Sequence, residues 1–260
     1  MFNNLFDYLP EWQIFLLFPA VSLTILAVVT FVFKKLSTSV LSLDYDTDVT
    51  DTATQNTLSA AFVILSFSFV MVMGNSDRFE NDVTIEATRI TSLDRLLMID
   101  DIPQAAAIKN KLIAYTQSII QNDWKTLVVG RGSPITEALL KDLYLEDKKI
   151  PASTPRQVAI FIEIVKKTDD IFLSREVRIM NSNSHLPGLF WFVNFLCLMA
   201  VITIAAIRLL QPTTTRLIVL ATQVIMLNFL FSAVLIVDSP FKGDTRIGAG
   251  PLIRAVSKMQ

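Results

Sequence analysis

The chain has 260 residues, of which 52% are apolar and 18% charged, with 23 Lys plus Arg against 24 Asp plus Glu. A soluble domain carries roughly a quarter charged residues and less than half apolar, so the composition points to a membrane, and the balanced charge excludes a nucleic-acid binder, which needs a basic stripe. One cysteine, Cys197, and one histidine, His185, exclude an internal disulfide, a Cys/His zinc site of about four ligands, and any nucleophile–histidine pair not built on His185.

Four stretches can cross a hydrocarbon core ~30 Å thick, which takes a helix of about 20 residues. The N-terminal segment, 1–56, holds the first at 12–33, closed by Lys34 and Lys35. Asp7 and Glu11 precede it where a signal peptide has a basic region, so it reads as a membrane helix. A short acidic loop follows, with Asp44, Asp46, Asp48 and Asp51. Facing outward at a channel mouth it would attract cations and repel anions; the plainer reading is a solvated loop. The second stretch, 57–74, is the most polar, with Ser59, Ser66 and Ser68. The third and fourth lie within 187–238 and carry Asn194, Gln223 and Asn228, amides expected to face other helices or a polar path rather than lipid.

Between them, 75–186 has ordinary soluble character and reads as helices. Val83, Ile90, Leu93 and Leu97 mark a stripe near the 3.6 period over Phe79–Asp100, and Ile108, Leu112, Tyr115, Ile119 and Leu127 mark another over Gln104–Val128. Gly130-Arg131-Gly132 breaks the chain, and Ser133-Pro134 opens a short helix with serine at the N-cap. Thr154 and Gln157 fit a capping box with Pro155 at the first turn. The helix that follows has its stripe at Val158, Phe161, Ile162, Val165, Phe172 and Val177. The expected fold is all-α: four transmembrane helices with a helical domain on one side and a C-terminal segment, 239–260, on that same side. Basic residues near the membrane favour that side by about eight to four, which places the domain and both termini on the cytoplasmic side of a multi-pass plasma-membrane protein.

The second stretch is the candidate pore helix. At 100° per residue Phe62, Ser66, Phe69 and Met73 fall within about 60° of one another, with Ser59 at the edge. A ring of such helices alternates apolar constrictions with hydroxyl donors, and constrictions of this kind gate by dewetting while hydroxyls replace part of an ion's water. Phenylalanine at this spacing also suits packing or lipid contact, and the other face holds Val63, Phe67 and Val70. No Asp, Glu or His lies within the membrane stretches, which argues against an enzyme, and no cofactor or metal is called for.

Several pieces in order carry a family resemblance: Phe79-Glu80 through Glu86-Ala87, Ala114-Tyr115, Asn122-Asp123-Trp124, Ser174-Arg175 with Arg178, Leu186-Pro187 with Trp191, and Asp238-Ser239-Pro240-Phe241-Lys242-Gly243. Together, over roughly 55–260, they resemble the bestrophin-like domain family of prokaryotes and plants. The resemblance implies a homo-oligomer, typically a pentamer, conducting chloride-like inorganic anions through an axial pore lined by the second membrane helix. Phe62-Val63-Ile64-Leu65-Ser66-Phe67 is similar to the bestrophin neck segment, which makes Phe67 the alternate to Phe69. After Asp238, Pro240, Phe241 and Gly243 the sequence departs from bestrophins: Lys242, Asp244 and Arg246 stand where animal channels carry an acidic calcium clasp, and one carboxylate cannot supply calcium's six to eight oxygens. The competing expectation is a non-conducting membrane scaffold or sensor whose helical domain binds a partner protein and exposes an apolar patch.

Overall fold

The computed structural model describes residues 10–39, 47–99, 102, 104–151, 153–239, 241 and 246–260. Among the described residues all regular structure is helical. The chain divides into two units, one of 1–74 with 185–246 and the other of 75–184 with 247–260.

The first unit holds α1 (Glu11–Ser39), the first part of α2 (Thr47–Ile99), α7 (Gly188–Arg208) and α8 (Thr214–Val237). All four are long and apolar enough to span a membrane. Helix α1 packs on α7 and α8. The shared core includes Leu26, Ala61, Leu65, Val72, Val201, Ala205, Leu227 and Phe231. Alanines at Ala61, Ala205 and Ala206 let backbones approach closely, as membrane helix contacts require. Trp12, Phe31, Phe192 and Leu217 point outward, a surface suited to lipid. The buried amides join helices. Asn194 Nδ2 donates to Ser68 Oγ at 2.9 Å, and Ser22 Oγ donates to Asn228 Oδ1 at 2.8 Å.

The second unit holds the rest of α2, α3 (Ala105–Ser118), a π-turn (Ile119–Asp123), α4 (Trp124–Thr126), a 3-10 turn (Leu127–Val129), α5 (Pro134–Asp147), α6 (Pro155–Asn181) and α9 (Gly250–Met259). Val83, Ile90, Leu93 and Leu97 on α2 and Ile108, Leu112, Tyr115, Ile119 and Leu127 beyond it are buried, as the periodicity requires. The capping box of α6 forms, with Thr154 accepting from the Gln157 amide and Gln157 accepting in return. Gly130 ends the 3-10 turn at φ +67°, a left-handed backbone that favours glycine, and its carbonyl accepts from Asn183 Nδ2 at 3.0 Å.

Four expectations are corrected. The helices expected over 57–74 and Phe79–Asp100 are one helix of 53 residues, about 80 Å long at 1.5 Å per residue. Only Gly74 lies between them as a breaker, and a lone glycine costs a helix about 1 kcal/mol without ending it. The acidic loop is shorter than expected, because Asp48 and Asp51 belong to the first turns of α2. Asp51 is ion-paired to Arg208 at the end of α7; Asp44 and Asp46 lie outside the described residues. The helix expected over Gln104–Val128 is interrupted by the π-turn, which ends at the buried Asp123. Finally, the apolar stripe of α6 does not face the core. Val158, Ile162, Phe172 and Val177 are exposed, as are Leu173 and Met180, Phe161 and Val165 are half-buried, and Ile164, Thr168, Ile171, Ser174, Arg175 and Arg178 are buried. Two arginines occupy the inner face because buried carboxylates wait there for them.

Candidate functional site in the long second helix

In the membrane part of α2, Ala61, Leu65, Ser68 and Val72 form the inner side. This divides the stripe expected from helical phase. Phe62 and Phe69 are half-buried, packed on the core of their own unit, whereas Ser59, Ser66 and Met73 are exposed. The alternate Phe67 is 67% exposed, beside Val63 at 54% and Val70 at 67%. The outward face therefore joins Ser59, Val63, Ser66, Phe67, Val70 and Met73. Ser68 bonds Asn194, but neither the Ser59 nor the Ser66 hydroxyl has a hydrogen-bond partner among the described residues. A helical serine hydroxyl can turn to the carbonyl four residues back or to water, so these two are free to donate to a passing ion or a neighbouring chain. Beside this face lies an apolar groove of about 590 Å³, lined by Phe67, Val70, Leu189 and Phe190 among others.

Beyond the membrane, α2 is clamped by a buried charge network. Arg178 Nε on α6 donates to Glu86 Oε2 on α2 at 2.5 Å, and its Nη2 donates to Asp123 Oδ2 at 2.9 Å. Arg175 Nε donates to the same Asp123 oxygen at 3.0 Å and its Nη2 to the Ser133 carbonyl at 3.2 Å. Asp123 Oδ1 accepts the Ser133 amide at 2.7 Å, so Ser133 opens α5 with its backbone committed to the network and its side chain making no cap bond. Tyr115 donates to Glu86 at 3.4 Å, and the Trp124 ring lies 5.5 Å from the Arg178 guanidinium. Two carboxylates balance two guanidiniums, all buried. Burial alone would raise the Asp123 carboxyl, but the Arg175 hydrogen bond and the Arg178 charge outweigh it and hold it below its ordinary range. Burial opposes the charge on Arg178, yet Glu86 holds it firmly protonated. Burial and then the Glu86 charge push the Tyr115 phenol well up. The network ties α2 to α6 and to the turn that ends at Asp123.

The motif after α8 is local. Asp238 Oδ1 accepts the Leu186 amide at 2.6 Å, and the Asp238 carbonyl oxygen lies 2.9 Å from His185 Nδ1, tying the entry of α7 to the exit of α8. Phe241 is half-buried; Pro240 and Gly243 lie outside the described residues, as do 242–245 where a calcium clasp would stand. Among the described residues no three His, Cys, Asp or Glu side chains are placed to share a metal ion. The sequence alone picked out Glu86, Asp123, Arg175 and Arg178 as motif residues, but not as one cluster. Two buried-face arginines one helical turn apart were the available signal.

No curated protein matches the chain. A solved structure does: the crystal structure of a membrane protein carrying a proline-to-alanine substitution, at a TM-score of 0.63 and 10% identity, over 94% of this chain and 96% of that one. That likeness shows a shared fold. The profile of the Bestrophin-like domain matches residues 17–252. The chain is a membrane protein of the Bestrophin-like domain family.

Proposed function

We propose that the chain assembles around an axis as a homo-oligomeric ion channel, pentameric as the family implies, that favours anions and is lined by the outward face of α2. The observation that carries this reading is that face itself. It bears two exposed hydroxyls without partners, Ser59 and Ser66, interleaved with Val63, Phe67 and Val70. Facing a water-filled axis, these hydroxyls replace part of an ion's hydration while Phe67 sets a narrow apolar ring. No Lys or Arg stands on α2 within 57–74, so selectivity should be weak and favour large, poorly hydrated anions. In this reading Phe67 with Val63 and Val70 forms the neck, and Phe62 and Phe69 support it from behind. The charge bias of the sequence supports a cytoplasmic domain and termini, and the family supports an inner (plasma) membrane.

The exposed apolar face of α6, with Ile162, Phe172, Leu173 and Met180, supports assembly, since an apolar patch outside the membrane seeks a partner surface. The same patch also favours the second reading, a scaffold whose partner is another protein. Cysteine substitution separates them. In a Cys197→Ala background, Ser59→Cys, Ser66→Cys and Phe67→Cys should react with a membrane-impermeant charged thiol reagent, while Phe69→Cys stays protected. Equal protection at all four positions would contradict a water-filled path along this face.

A further inference from the structure

We propose that a groove between α2 and α9 in the second unit binds a phosphate-bearing anion; the inference goes beyond the channel reading and holds for a non-conducting protein as well. The groove has a volume of about 350 Å³, and its lining includes Thr84, Thr88, Thr91 and Arg95 from α2 and Arg254 and Lys258 from α9. Helix α9 packs with Leu252, Ala255, Val256 and Met259 inward. That packing turns Arg254 and Lys258 outward, beside the α2 threonines.

Three cationic heads therefore share one concave surface with no carboxylate in its lining. All three residues are exposed, and none has an ion pair among the described residues. A fourth cation stands close by: Lys167 Nζ donates to Ser92 Oγ, also in the lining, at 3.0 Å, and is balanced by Glu163 at 3.5 Å. Cations gathered this way repel one another until an anion separates them. Guanidinium groups fit phosphate oxygens with two parallel hydrogen bonds, which a halide cannot reciprocate. The threonine spacing puts three hydroxyls along one face of α2. Each donates to the carbonyl four residues back: Thr84 to Glu80 at 3.0 Å, Thr88 to Thr84 at 2.8 Å and Thr91 to Ala87 at 2.8 Å. Their oxygens are left to accept from a ligand hydroxyl or bound water, and a small rotation of any one lets it donate to a phosphate oxygen. The volume suits a compact ligand with one or two phosphates. A soluble phosphate compound and a phospholipid headgroup share this chemistry.

The test is calorimetric titration of the full-length protein in neutral detergent at low salt with inorganic pyrophosphate. Saturable binding is expected, weakened at least tenfold in Arg95→Gln/Arg254→Gln and unchanged in the control Lys148→Gln, which removes an exposed charge elsewhere. Binding should also weaken steeply as salt rises, since the cations are exposed. Competition with water-soluble dioctanoyl phosphatidylglycerol assigns the source: displacement of pyrophosphate indicates a headgroup, and no displacement a soluble compound, either result keeping the site. Absence of pyrophosphate binding, or equal loss in the control, would overturn the proposal. So would a change of oligomeric mass in Arg95→Gln/Arg254→Gln without any pyrophosphate binding by the wild type, which would make the groove a contact between copies.

Discussion

Glu86→Gln should destabilise the protein severely even though it removes no atoms of packing. Glu86 and Asp123 face Arg175 and Arg178 in a buried two-against-two arrangement, with side chains 0–2% exposed. Neutralising Glu86 leaves two guanidiniums sharing Asp123, an excess positive charge with no water to disperse it. Removing one partner of a buried ion pair costs about 3–5 kcal/mol. For a unit of this size that corresponds to a fall in melting temperature of roughly 10 °C or more. The double variant Glu86→Gln/Arg178→Met restores the balance, because Arg175 and Asp123 remain as a neutral pair held at 3.0 Å. It should recover at least half of the loss, giving a coupling of about 2 kcal/mol or more. Thermal unfolding of detergent-solubilised protein, followed by tryptophan fluorescence, measures this, since Trp124 lies against Arg178. A Glu86→Gln melt within about 2 °C of wild type, or losses that simply add in the double variant, would refute the reasoning.

Asp147 is fully buried at the end of α5, accepts from Thr168 at 2.8 Å, and has one carboxylate oxygen without a donor. Burial, aided by the charges of Glu146 and Asp169, lifts it from 3.8 to about 6. Because the folded value is raised, ionisation opposes folding: the stability present below the unfolded value is lost as pH climbs from about 4 to about 6. A shift of two units corresponds to about 3 kcal/mol at most, so Asp147→Asn should be more stable than wild type at pH 7.5, with the gap closing by pH 4 in melts across that range. Gly130→Ala should cost about 2 kcal/mol or more in the same melts, since φ is +67° and the new Cβ would run into the Asn183 amide. Within the membrane, Ser68→Ala leaves the Asn194 amide short of a partner and should cost about 0.5–1.5 kcal/mol in a detergent-refolding assay. Ile162→Asp/Leu173→Asp, on the outward face of α6, should lower the oligomer mass by light scattering while the helical content stays unchanged.

The fold was largely legible because its signals are local. Runs of apolar residues marked the four membrane helices, the 3.6 period marked the buried faces of the extramembrane part of α2 and of α3, and Thr154 with Gln157 marked the start of α6. What escaped depended on distant partners. The apolar stripe of α6 pointed the wrong way because its inner face is set by Glu86 and Asp123, which lie far off in the sequence. The π-turn ending at Asp123 has the same origin, since periodicity does not register a carboxylate needed at one point in space. In the candidate pore helix, phase arithmetic grouped Phe62 and Phe69 with Ser66. Which side of α2 its own unit covers depends on contacts with α1, α7 and α8, and those contacts leave Phe67 outward and Phe62 half-buried. The α2 and α9 groove was invisible for a similar reason, since its cations come from opposite ends of the second unit.

Chloride and iodide efflux from liposomes holding purified protein tests the central claim most directly, with wild type, Phe67→Ala, Phe62→Ala and Phe69→Ala compared at equal insertion. A channel whose neck is the outward face of α2 should pass anions, iodide at least as fast as chloride, with Phe67→Ala raising the flux several-fold and Phe62→Ala and Phe69→Ala changing it little. No flux from any of the four would contradict conduction and favour the scaffold, and a rise confined to Phe62→Ala or Phe69→Ala would move the lining to the flank of α2 that carries those two rings.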